Sequence, residues 1–224
     1  EAAAKHLTPV VLLTDAFVAN GSGAWRLPDI AQLPEIHPHY APAEQKGHYT
    51  PYRRDPESGV RYWAVPGQEG FEHILGGLEK DGDTGAISTD PENHDKMCRL
   101  RAMKVFKIPV PDVEVQGDAD DAELLIVGFG GTFGHLYSAM EELRAMGNKV
   151  ALAHFSYINP LPHNTDEVLM RYKKVVVAEQ NLGQFAAYLR MKVDNFVPYQ
   201  FNQVKGQPFV VAELVKAFSK IIKN

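Results

Sequence analysis

Four closely spaced glycines form the part of this sequence best suited to hold a phosphate: Gly128, Gly130, Gly131 and Gly134. They follow an apolar run and precede apolar residues at helical spacing, and a helix N-terminus in that position can bind an anion. A dinucleotide fingerprint also needs a third glycine in register and a carboxylate after the next strand. Here Phe133 replaces that glycine, and the next strand ends at Ala153-His154-Phe155. The sequence favours a loop whose backbone packs against its sheet or a partner, with an anion site as the less favoured alternative.

Two further polar groups stand where strands pass into helices. Glu179 and Asn181 follow an apolar strand and precede Gly183, so they are placed to cap the next helix, bond a neighbouring loop or contact a partner subunit. Thr132 stands before the helix that follows the glycine loop and is predicted to cap it. For Glu179 and Asn181 we favour a structural and interface role over catalysis.

Side chains that bind metals or act as nucleophiles are present but not in a recognisable pattern. His73, Glu79 and His94 fit no compact ligand spacing, so no metal site is predicted. Ser88, Thr89 and Cys98 show no pairing with a base at a readable spacing. We therefore predict no catalytic residue of this kind.

Composition limits the classes of protein to consider. The 224 residues are 45% apolar with a formal charge of −5, and acids and bases are interspersed, so no basic face for nucleic acid is expected. No run of some 18 apolar residues that would span a membrane is present. A single cysteine, Cys98, excludes an internal disulfide and suits the cytoplasm. The opening EAAAKH resembles the tail of a helix, as in a chain whose front has been removed.

The pattern of elements changes along the chain. Residues 9–14 predict a buried strand, and residues 20–70 form a long aromatic arm without periodicity, typical of binding loops or arms packed on a partner. Asp90 and Pro91 predict the start of a helix that runs to about Lys107. Residues 109–120 are the predicted linker. Strands and helices then alternate, which predicts an α/β fold with a parallel sheet covered on both faces. The predicted strands are 124–128, 149–154, 174–178 and 202–204, and the predicted helices are 134–146, 164–172, 183–192 and 210–222.

Six motifs occur in order along nearly the whole chain: ANGSGAWRLPD, RYWAVPGQEGFEHILGGLEK, DPENHDKM, GFGGTFG, HFSYINPLP and AEQNLGQ. Together they resemble the alpha subunit of the 2-oxoacid:ferredoxin oxidoreductases, in particular the 2-oxoglutarate enzymes. The resemblance covers the C-terminal portion of that subunit. It implies that residues 1–108 are the end of a pyrimidine-side thiamine diphosphate domain and residues 121–224 a transketolase C-terminal-like domain.

The resemblance also implies a reaction and the partners it requires. These are CoA-dependent oxidative decarboxylation of a 2-oxoacid, thiamine diphosphate with Mg²⁺, and an iron–sulfur cluster that passes electrons to ferredoxin. The family holds these cofactors outside this segment, so none is expected on this chain alone. The expected partners are a beta subunit and the remainder of the alpha subunit, in an oligomer. The isolated chain is expected to be inactive.

Two residues are candidates for substrate binding within this resemblance. Arg61, close to Trp63 and Pro66, is a candidate clamp for a substrate carboxylate, because a guanidinium can bind a carboxylate through two hydrogen bonds. The alternative is a solvated arginine among its charged neighbours. His73 is a candidate donor, acid or base, although a buried histidine with its hydrogen bonds satisfied is favoured. The competing function is a free-standing flavodoxin-like module that binds a nucleotide or flavin through GFGGTFG.

Overall fold

Regular structure is sparse before residue 90. The computed structural model describes residues 1–224, and its first elements are helices α1 (Ala2–His6) and α2 (Ala16–Ala19) and two 3₁₀ turns, Ile30–Gln32 and Ala43–Gln45. The predicted strand over residues 9–14 is wrong, because the segment has no strand and Val10 to Leu13 expose 61 to 86% of their surface. An apolar run forms a strand only where a neighbouring strand satisfies its backbone, and none pairs with it.

The helix predicted after Asp90 is confirmed as α3 (Pro91–Phe106). The Asp90 carboxylate accepts hydrogen bonds from the backbone N–H groups of Glu92 and Asn93. Pro91 occupies the first turn, where its missing N–H costs nothing. The helix ends close to Lys107, as the following prolines indicate.

The chain divides into two units. The first comprises residues 1–12 and 24–109, and the second comprises residues 13–23 and 110–224. The assignment of these parts to a thiamine diphosphate domain and a transketolase C-terminal-like domain stays a prediction. None of the helices has the length and apolarity that crossing a membrane requires.

The second unit contains the predicted α/β sheet. Its strand order is β1-β3-β2-β4-β5, and β2 to β5 pair in parallel. The strands are β1 (Val115–Gly117), β2 (Leu124–Phe129), β3 (Val150–Phe155), β4 (Val175–Glu179) and β5 (Tyr199–Asn202), and the helices are α4 (Phe133–Ala145), α5 (Thr165–Arg171), α6 (Gln184–Lys192) and α7 (Val211–Lys223). The mostly parallel α/β prediction is confirmed.

Part of the predicted linker forms strand β1. It lies within residues 109–120 and pairs antiparallel with β3 at the edge of the sheet. The linker prediction is therefore wrong for residues 115–117. A strand of three residues, Val-Gln-Gly, is too short to show the alternation that marks a strand in sequence.

Alternate residues of the central strands enter two separate cores. One face of the sheet packs against α5 and α6, and the other packs against α4 and α7. Leu125 and Val127 lie in the first core, whereas Leu124 and Ile126 lie in the second, all without solvent exposure. Burial on both faces explains why β2 is a continuous apolar run. The loops after β2, β3 and β4 consequently lie along one edge of the sheet.

Candidate functional site

The glycine loop after β2 packs closely at two of its four glycines. A Cβ atom added to Gly128 would overlap the fully buried Leu136 side chain, and one added to Gly131 would overlap the Asp15 carboxylate. Gly130 has a φ of 63°, and both Gly130 and Gly134 face open space. The Asp15 carboxylate places negative charge beside the backbone that would cradle a phosphate, which disfavours the anion site considered above.

Thr132 is buried in this loop, but it does not cap α4. Its hydroxyl donates to the Phe129 carbonyl oxygen at 2.8 Å and lies 3.3 Å from Nε2 of His154, and it makes no capping hydrogen bond. The capping prediction is therefore wrong. The tight turn directs the hydroxyl back towards the strand end, because the carbonyl of Phe129 lies within reach three residues earlier.

His154, at the end of β3, completes this contact and was not singled out from the sequence. Its ring packs edge-on against Phe133 with 5.2 Å between the ring centroids. Burial lowers the pKa of His154 to about 4, because the charged imidazolium loses its hydration. The histidine is therefore neutral near physiological pH. Its position directly after an apolar strand was the available sequence signal.

Glu179 and Asn181 organise the loop between β4 and α6. The fully buried Glu179 carboxylate accepts hydrogen bonds from the N–H groups of Phe185 and Ala186 at 2.8 and 2.9 Å. Oδ1 of Asn181 accepts hydrogen bonds from the N–H groups of Gly183 and Gln184 at 2.8 and 3.0 Å. Both side chains therefore satisfy the free N–H groups around the first turn of α6. Their predicted contact with a partner stays a prediction.

An open cavity of ≈ 500 Å³ lies beside the end of β3 in the second unit. His154, Phe133 and Tyr157 line it together with two acidic residues, Asp112 and Glu114. These carboxylates oppose the binding of an acidic substrate. An anionic ligand is therefore better sought among the basic residues of the first unit.

Arg61 lies in a hairpin of the first unit, directly opposite Arg54 in an antiparallel bridge. Its side chain is half-buried, and Nη1 is shielded from solvent without a hydrogen-bond partner. This differs from the freely solvated arginine that was the alternative prediction. A buried guanidinium with an unused donor is a suitable group for binding a carboxylate.

Tyr49 lies close to both Arg61 and His73. Burial raises the pKa of the Tyr49 hydroxyl, and the nearby Arg61 charge partly offsets that shift. The Tyr49 ring lies edge-on to His73 with 5.0 Å between centroids, and Nδ1 of His73 is 2.6 Å from the Phe71 carbonyl oxygen. The other ring nitrogen of His73, Nε2, makes no hydrogen bond within the structure. Tyr49 itself was not a predicted site residue, since an isolated tyrosine in a long loop gives no pattern.

A second group of side chains on α3 was missed in the sequence. Nε2 of His94 lies 3.7 Å from Sγ of Cys98, and Nδ1 of His94 lies 2.9 Å from the Glu79 carboxylate. Arg101 binds the same carboxylate through two hydrogen bonds, which, with the His94 contact, lowers the pKa of Glu79 to about 2. The prediction that Cys98 has no pairing with a base at a readable spacing is therefore wrong. Residues 94 and 98 are four apart on a predicted helix, which was the signal available.

Comparison with known proteins shows the class of protein to which this chain is similar. Residues 122–213, which contain the parallel sheet, match the family described as pyruvate:ferredoxin oxidoreductase core domain II. The 2-oxoglutarate oxidoreductase subunit KorA of Mycobacterium tuberculosis is 47% identical over 95% of this chain and 32% of its own length. A 2-oxoacid:ferredoxin oxidoreductase alpha subunit of Aeropyrum pernix is 28% identical over 99% of this chain and 35% of its own length.

A solved structure agrees with these relatives. The 2-oxoglutarate:ferredoxin oxidoreductase of Magnetococcus marinus, with 2-oxoglutarate, coenzyme A and succinyl-CoA bound, matches with a TM-score of 0.78 at 30% identity. The match covers 87% of this chain and 34% of that chain. The chain therefore belongs to the family of 2-oxoacid:ferredoxin oxidoreductase alpha subunits. It spans about a third of the length of the curated relatives it matches.

Proposed function

We propose that this chain is part of an enzyme complex that oxidatively decarboxylates 2-oxoglutarate in the presence of coenzyme A. The products are succinyl-CoA, carbon dioxide and two electrons, which reduce ferredoxin one at a time. The observation that carries the proposal is the match to the Magnetococcus marinus enzyme, whose structure contains 2-oxoglutarate and succinyl-CoA. The relatives give no support to the alternative of a free-standing nucleotide- or flavin-binding module.

The redox cofactors belong, in this proposal, to other parts of the complex. One cysteine cannot supply the four thiolates of an iron–sulfur cluster. The Asp15 carboxylate beside Gly131 opposes the diphosphate of thiamine diphosphate at the glycine loop. The glycine loop therefore does not fit a diphosphate, and the single cysteine does not fit a cluster. We assign these cofactors to other parts of the complex, with the diphosphate and Mg²⁺ on the beta subunit. The isolated chain is expected to be inactive.

The contribution of this chain is substrate recognition and assembly. Arg61 is proposed to bind a carboxylate of the 2-oxo diacid, and His73 to donate a hydrogen bond from the ring nitrogen that faces away from Phe71. The exposed apolar side chains of residues 10–36, which include Leu12 and Trp25, are proposed to pack against partner polypeptides. A cytoplasmic location stays the prediction made from the single cysteine.

The substrate role of Arg61 is tested by comparing Arg61→Ala with Arg53→Ala in the assembled complex. Arg53 is an exposed neighbour and serves as the matched control. We expect KM for 2-oxoglutarate to rise about tenfold or more for Arg61→Ala, since a charge-assisted hydrogen bond contributes about 1.5–3 kcal/mol. Arg53→Ala should leave KM unchanged. An unchanged KM for Arg61→Ala would remove the clamp from the proposal.

A further inference from the structure

Two arginines of the first unit face each other across a hairpin. Arg54 and Arg61 form an antiparallel bridge, and directly opposed residues of such a pair project from the same side of the two strands. Like charges in this position repel each other. A negatively charged group bound between them would offset this repulsion.

Both guanidinium groups are partly withdrawn from water and incompletely bonded. Nη1 of Arg54 donates to the Gly59 carbonyl oxygen at 2.9 Å, but Nε of Arg54 and Nη1 of Arg61 are buried without a partner. A buried charged donor without an acceptor is costly, and buried charges in proteins are normally paired. Two such donors in one place indicate an acceptor that the residues of this chain do not provide.

Helix α3 adds a third positive charge to this pair. A Cβ atom at Gly59 would lie 3.8 Å from both Cα and Cβ of Lys104, which places this part of α3 against the hairpin. Nζ of Lys104 donates to the Leu7 carbonyl oxygen at 2.7 Å and retains further protons for another acceptor. Burial lowers the pKa of Lys104, and the nearby charges of Arg54 and Arg61 lower it further.

Two acidic side chains near the hairpin are engaged elsewhere, and the exposed Glu57 in the turn makes no ion pair with the arginines. Asp55 accepts hydrogen bonds from the backbone N–H and the hydroxyl of Ser58, which fixes the turn. Glu79 binds Arg101 and His94. Neither carboxylate bonds to Arg54, Arg61 or Lys104 within the structure.

We propose that Arg54, Arg61 and Lys104 form a binding site for an oxyanion, a carboxylate or phosphate group of a small molecule. Two guanidinium groups of the hairpin and an ammonium group of the adjacent helix α3 offer several donors to the oxygen atoms of such a group. The site extends the single-arginine clamp of the proposed function by two residues. It does not depend on the proposed activity, because its test measures binding rather than turnover.

The test is thermal unfolding of the full chain at neutral pH, with phosphate or glutarate replacing chloride at constant ionic strength. We expect each effective anion to raise Tm saturably, because a ligand of the folded state stabilises it by mass action. The half-saturating concentration should rise about tenfold or more for Arg54→Gln and for Arg61→Gln. Arg53→Gln, the exposed neighbour, should behave as the wild type.

The two anions distinguish the source of the group. Stabilisation by phosphate alone identifies a phosphate ligand, stabilisation by glutarate alone identifies a carboxylate ligand, and either result supports the site. A second readout needs no ligand, since Arg61→Gln relieves repulsion and should not lower Tm in chloride. The proposal is overturned if neither anion gives a saturable shift, or if the shift is the same in wild type and Arg61→Gln, as a general salt effect would give.

Discussion

At the residue scale, His154 links the stability of the second unit to pH. Its pKa is lowered to about 4 by burial, whereas an unfolded histidine titrates near pH 6.5. The unfolded state therefore binds the proton first, and stability is fully present above about pH 6.5 and falls as pH decreases towards 4. We expect His154→Gln to show a smaller loss of unfolding free energy between these values than the wild type. The proton resonances of the His154 ring should titrate near pH 4, and a midpoint near 6.5 would refute this explanation.

Residue-level roles were predicted unevenly from the sequence. Asp90 has a strong local signature, because a cap is determined by a few adjacent residues, and the structure confirms its role. Tyr49 and Lys104 approach Arg61 only through the fold of the first unit, so no local spacing reveals them, and Arg54 pairs with Arg61 across a short hairpin without a strand pattern. Thr132 shows the opposite error, since a suitable residue type at a helix start did not make the expected bond.

At the element scale, the junction between β2 and α4 allows a test with two glycines of the same loop. Gly128→Ala would press a methyl group into Leu136, so we expect a loss of about 1–3 kcal/mol in unfolding free energy. Gly134 lies within α4, has open space around it and has no positive φ. Gly134→Ala should therefore be neutral or stabilise by up to about 1 kcal/mol.

Chemical denaturation of both variants measures these changes. The same substitution at both positions makes Gly134→Ala the matched control for loss of backbone flexibility. If Gly128→Ala proves as stable as the wild type, the close packing of the loop against Leu136 is incorrect. A large loss in Gly134→Ala would instead indicate that its surroundings are filled, against the structure described here.

The elements of the second unit were largely predictable because their signals are local and repeated. Apolar runs of five or six residues marked β2, β3 and β4, and helical periodicity marked the helices between them. Strand β1 was missed because three residues carry too little pattern, and its place is determined by pairing with β3. Residues 9–14 show the reverse case, where a strong strand pattern has no partner strand within the chain.

At the scale of the whole molecule, the apolar arm and the small share of its relatives that this chain covers fit the proposed role in a larger assembly. Five large apolar side chains of the arm each expose more than 70% of their surface: Val11, Leu12, Trp25, Leu27 and Ile30. Exposed apolar surface of this kind commonly marks a contact with another polypeptide. The sequence and structural matches identify the family, and the family suggests the reaction. In the proposed function, the choice of substrate depends on the basic residues of the first unit.

The most direct measurement combines this chain with the remainder of the alpha subunit and the beta subunit and follows reduction of a one-electron dye. We expect reduction that requires this chain, coenzyme A and a 2-oxoacid, with 2-oxoglutarate preferred over pyruvate because pyruvate lacks the second carboxylate. Reduction that proceeds equally without this chain, or no reduction by the assembled complex with any 2-oxoacid, would refute the proposed function.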